Sequence, residues 1–166
     1  MRMRLARVTK RSGLLRSEKF LLIAVTIGLL HHGDHILRYD HSGWPFRPDV
    51  NPFTVSLLVY PILLVIALLR SRPWLRVGLL AVVFLAVQTA HVLIETPADQ
   101  YGTWAHGVSS DLSVLGAPNL LGVASPALGL AAAGLSLLLS VALLATLAAF
   151  VADALHHDRR HGVVAP

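Results

Sequence analysis

His31, His32, Asp34 and His35 fall within five residues at one end of an apolar stretch. A later apolar stretch carries His91 and Glu95 at a four-residue spacing. Neutral imidazoles and carboxylates are the usual nitrogen and oxygen ligands of zinc and non-haem iron. Ionisable groups in apolar segments are costly in a bilayer, face the protein interior and mark functional sites. Four residues is just over one helical turn, so His31 and His35 share a stripe, flanked by Asp34. His32 lies about 100° away, off that stripe. Gln88, His91 and Glu95 form a second stripe by the same geometry.

These spacings predict a divalent metal site, zinc or non-haem iron. The ligands are drawn from His31, His35, His91, Glu95 and Asp34, with Gln88, Asp34 or Arg38 behind them. Asp34 and Glu95 are also the candidate catalytic carboxylates. A bound metal could polarise a carbonyl or phosphoryl group, or supply hydroxide near neutral pH. Three other readings use the same residues. Asp34 and Arg38 are spaced for a plain ion pair, and the histidines for hydrogen bonds across helices. His91 facing His31 or His35 could give the two axial ligands of a b-type haem. The cluster could also relay protons in a non-catalytic subunit or a transporter-like protein.

The elements that must hold these residues are membrane helices. The 166 residues are 55% hydrophobic and 14% charged, against about 25% charge in a soluble domain. The mean hydropathy is +0.65. Leu/Ala/Val blocks without alternation exclude a transmembrane barrel. Four apolar segments are read, over about 19–38, 53–69, 75–96 and 126–152, against the roughly 20 residues a spanning helix needs. Asn51-Pro52 opens the second, Thr96-Pro97 closes the third, and Ser125-Pro126 opens the fourth, with Pro126 suited to a first turn. Residues 111–125 are apolar but short and hold Gly116, Pro118 and Gly122. They read as a re-entrant or interfacial segment before the fourth helix.

Arg2, Arg4, Arg7, Lys10, Arg11, Arg16 and Lys19 precede the first segment. Arg70, Arg72 and Arg76 follow the second, and Arg159 and Arg160 follow the fourth. The opposite loops have only Arg38 and Arg47. The expectation is an all-α integral membrane protein with four transmembrane helices and both termini cytoplasmic. A basic segment 1–18 meets anionic lipids, 19–153 spans a bilayer, and 154–166 is a polar tail. The plasma membrane is the expected location. The basic balance of +5 sits beside apolar segments and suits lipid headgroups, not nucleic acid. The apolar run 20–30 imitates a signal peptide, but His31-His32-Gly33-Asp34 stands where small residues should precede cleavage, so it reads as an uncleaved anchor.

Both site stripes then lie at one depth. His35 is roughly 20–25 Å above Phe20 and His91 roughly 24 Å above Leu75. Thr54, Ser56 and Tyr60 fall in the same half. Asp40, His41, His106 and Asp111 lie in the loops above. Small residues Ala24 and Gly28 are expected to bring segments one and three together. There is a short internal echo: His31-x-x-x-His35 precedes Gly43-Trp44, and His91-x-x-x-Glu95 precedes Gly102-Thr103-Trp104. Trp44, Trp74, Trp104 and Tyr39 read as an interfacial aromatic belt. Ser136 and Ser140 read as packing hydroxyls. His156-His157-Asp158 belongs to the opposite side and cannot join the cluster. The chain has no cysteine, which excludes disulfides, thiolate metal sites and thiol catalysis.

Overall fold

The computed structural model describes residues 13–39, 43–108 and 118–162. The basic stretch 1–12, with Asp40, His41 and Asp111, lies outside the described residues. The architecture is all-helical. α1 is Arg16–Leu37, α2 Pro52–Ser56, α3 Val59–Leu68, α4 Pro73–Leu93, α5 Pro97–His106 and α6 Pro126–Gly162, with a 3-10 turn at Trp44–Phe46. Among the described residues three helices are long and apolar enough to cross a membrane: α1, α4 and α6.

Local chemistry sets these boundaries. Proline is the first residue of α2, α4, α5 and α6, where its missing N–H costs nothing and its φ is already helical. Asn51 caps α2: its Oδ1 accepts from Thr54 N–H at 3.1 Å, while Thr54 Oγ1 accepts from Asn51 N–H at 2.9 Å. Thr96 and Asp99 make the same reciprocal pair at the start of α5, and Gly107 ends it at φ 77°.

The second apolar segment is two helices rather than one. In a continuous helix Pro61 could not donate to Leu57, and its ring would strike that carbonyl. The chain instead turns at Leu57 and Leu58, with Leu58 N–H on Val55 O and Tyr60 N–H on Leu57 O, both at three-residue spacing. α3 restarts at Val59, so Pro61 sits in a first turn, where no N–H is needed. The last helix is longer than the apolar run. It continues through the polar residues to Gly162, about 55 Å in all.

α6 is the axis of the bundle and packs along α1, α4 and α5, with α3 laid against α1 and α4. Leu21 and Ala24 of α1, Leu63 and Ile66 of α3, Leu80 and Val83 of α4, and Leu139, Leu143 and Phe150 of α6 form the core. The outward faces are apolar too, including Leu22, Leu64, Val82, Leu85, Leu137 and Val141. Contiguous exposed apolar surface on this scale suits lipid rather than water. Gly28 faces Tyr60 and Leu139, so the small-residue stripe of α1 serves packing on α3 and α6 rather than on α4. At Gly129 of α6 an added Cβ would lie 2.7 Å from the Tyr101 carbonyl oxygen of α5.

α5 is a helix where loop was expected, because Thr96-Pro97 starts a new capped turn as well as ending α4. Residues 118–125 are non-helical. Asn119 holds them: its Nδ2 donates to Val123 O at 2.7 Å and Gly107 O at 3.2 Å, and its Oδ1 accepts from Leu121 and Val123 N–H. Leu120 N–H reaches Leu37 O at 3.0 Å. The irregular backbone thus finds partners within the protein.

Candidate functional site

The end of α1 that carries the histidines meets the end of α4, with α5 and α6 closing over them. His31 is buried. Its Nε2 lies 3.0 Å from His35 Nε2 and 3.1 Å from His91 Nε2. The His31 ring is nearly perpendicular to both neighbours, at 78° and 79°. One imidazole nitrogen has a single in-plane lone pair or a single proton. His31 Nε2 therefore cannot make two good hydrogen bonds, although two nitrogens press on it.

The Nδ1 atoms of His31 and His35 face oxygens. His31 Nδ1 is 3.3 Å from Ser136 Oγ, and His35 Nδ1 is 3.3 Å from Glu95 Oε2. Ser136 in turn donates to Gln100 Oε1, and Gln100 Nε2 reaches Glu95 Oε2 at 3.5 Å. Oxygens on the Nδ1 side orient a ring and point its Nε2 at a fixed place.

Arg38 joins the carboxylates. Its Nε pairs with Asp34 Oδ2 and its Nη1 with Glu95 Oε1. Arg38 is 1% exposed, so its charge and the two carboxylates compensate one another out of water. Asp34 Oδ1 also accepts from Trp104 Nε1–H at 2.8 Å. Trp104 is buried and belongs to the site rather than to an interfacial belt. Trp74, half-exposed, does lie at the bundle surface, with its Nε1–H on Asp158 at 2.9 Å.

The five candidate ligands are thus placed in two groups. His31 Nε2 lies against both His35 Nε2 and His91 Nε2. Asp34 and Glu95 lie beside them, committed to Arg38, Trp104, Gln100 and His35 Nδ1. Among the described residues no group of three His, Asp or Glu side chains is arranged to hold a metal ion. Gln88 is apart from them and donates to Ser140 Oγ at 3.1 Å.

Ser136, Gln100 and Trp104 at the cluster were not singled out by spacing, nor was the group around His32. His32 Nε2 is 2.8 Å from Ser56 Oγ, and its Nδ1 is 2.8 Å from Tyr60 Oη and 3.0 Å from Gly28 O. These tie α1 to α2 and α3. Thr54 stays local as part of the Asn51 cap. His106 is exposed at the end of α5. His156 and His157 are exposed near the far end of α6. No known protein family matches this chain, and neither a curated protein nor a solved structure is significantly similar to it.

Proposed function

We propose that this chain is a small multi-pass membrane metalloprotein whose centre is formed by His31, His35 and His91. The observation that carries this reading is the approach of both His35 Nε2 and His91 Nε2 to His31 Nε2, while the Nδ1 atoms of His31 and His35 face Ser136 and Glu95. A tetrahedral ion with bonds of about 2.0–2.1 Å holds its ligand nitrogens roughly 3.3 Å apart. Opening the contacts by a few tenths of an ångström would admit zinc or non-haem iron. The ion would accept one Nε2 lone pair from each ring, where His31 Nε2 by itself cannot bond both neighbours.

In this reading Glu95 and Asp34 act beside the metal rather than on it. Glu95 fixes His35, and Arg38 fixes Glu95 and Asp34. Three protein nitrogens leave a fourth position open, as in catalytic rather than structural zinc sites. An activated water or polarised substrate oxygen belongs there. The site sits at the end of the spanning helices, and the His35 side chain is 15% exposed. A lipid or other amphiphile, with its polar group at the metal, fits that position.

The Lys/Arg distribution favours an extracytoplasmic site in the plasma membrane, with both termini in the cytoplasm. α2 and α3 together would complete a fourth crossing. Elemental analysis of protein purified without a His tag tests the reading: one zinc or iron per chain supports it. The continuous contacts from Gln100 through Ser136, His31 and His35 to Glu95 favour a proton relay as the second reading. Metal-free protein after reconstitution with zinc and iron would leave that one.

A further inference from the structure

At the opposite end of the bundle, α1 and α3 part to leave a cleft of about 290 Å³, lined by Leu14, Glu18, Leu21, Leu22, Ala67, Leu68 and Arg70. Its walls are hydrocarbon and its polar groups are collected at one end. Glu18 is buried there. Glu18 Oε1 and Oε2 accept from Arg70 Nε and Nη2 at 2.7 and 2.6 Å, and Arg76 Nη2 reaches Glu18 Oε1 at 3.3 Å. Arg76 is itself held by Ile66 O and by the face of Phe150, so it is a fixed part of the wall.

Arg70 is different. Its side chain is 56% exposed. Glu18 takes Nε and Nη2, and a guanidinium has five N–H donors. The Nη1 edge can therefore face a second acceptor. Two arginines already compensate one carboxylate. Arg16, Lys19 and Arg72 are exposed nearby in the chain, so this end of the bundle is positive.

We propose that this cleft is a binding site for one anionic phospholipid. An acyl chain lies along Leu21, Leu22, Ala67 and Leu68, and the phosphate meets Arg70. Charge complementarity selects the occupant: an apolar slot at the level of the helix ends, with cations at its mouth, matches a phosphodiester above hydrocarbon. The site is separate from the histidine cluster and does not depend on a metal.

Native mass spectrometry of the full-length protein in mild detergent tests it, with phosphatidylglycerol and phosphatidylcholine of equal chain length. About tenfold more phosphatidylglycerol should remain bound, and inorganic phosphate should not displace it. Ala67→Phe, which fills the slot, should remove the adduct. Arg70→Gln should bring the two lipids to parity, with Arg76 still holding Glu18. Equal retention of the two lipids by wild-type protein would overturn the proposal without any variant. So would an undiminished phosphatidylglycerol adduct on folded Ala67→Phe protein, or displacement of the lipid by phosphate alone.

Discussion

His31 and His91 are 60 residues apart in the chain, yet their Nε2 atoms stand 3.1 Å apart. The contact links the polar end of α1 to the polar end of α4. Moving the His31 ring would disturb Ser136 and His35 as well as His91.

Arg38 should be the most sensitive residue at the cluster. Removing it leaves Asp34 and Glu95 as buried carboxylates without their cation, a loss of about 3–5 kcal/mol. Arg38→Gln should therefore unfold at markedly lower denaturant or temperature than wild type. Arg38→Lys should recover only part of the loss, since one ammonium cannot serve both carboxylates with a planar fork.

Trp104→Phe should cost about 1–3 kcal/mol, because it takes a buried N–H donor from Asp34. Trp74→Phe makes the same chemical change at a half-exposed side chain, and should stay within about 0.5 kcal/mol of wild type. Parallel thermal unfolding of the two variants checks the contrast.

Gly129→Ala should destabilise by about 1–3 kcal/mol, since its Cβ would collide with the backbone of Tyr101 and push α5 from α6. Gly134→Ala on the same helix meets nothing within 4 Å and should be neutral or stabilising. Equal effects would mean that α5 does not pack as described.

Metal retention should fall with acidity. Imidazole coordinates only when neutral, so protons compete with the ion. Dialysis at stepped pH followed by elemental analysis gives the profile, and return to pH 7.5 with metal should restore the content.

The parts of this site that share a helix were legible in the sequence. A four-residue spacing places His35 over His31 and Arg38 over Asp34 whatever else the chain does. The proline-led helix starts were legible for the same local reason. Ser136 was not, because a serine in an apolar helix has the same local appearance whether it bonds its own backbone or a ring 105 residues away. Trp104 and Gln100 were hidden in a stretch that reads as loop until the Thr96–Asp99 cap is recognised as a helix start. The break at Leu57 was readable from Pro61, but the hydropathy of the whole segment masks it. Partner choice among α1, α3, α4 and α6 depends on shape across the bundle, which composition does not encode.

Metal content of purified wild-type protein and four variants tests the central claim most directly. Wild type should carry close to one zinc or iron per chain. His31→Ala and His91→Ala should each fall at least tenfold, while His32→Ala and His157→Ala should keep the wild-type value. All five should be helical and monodisperse. A wild-type protein with no stoichiometric metal after reconstitution would contradict the account, as would folded His31→Ala and His91→Ala variants that retain it.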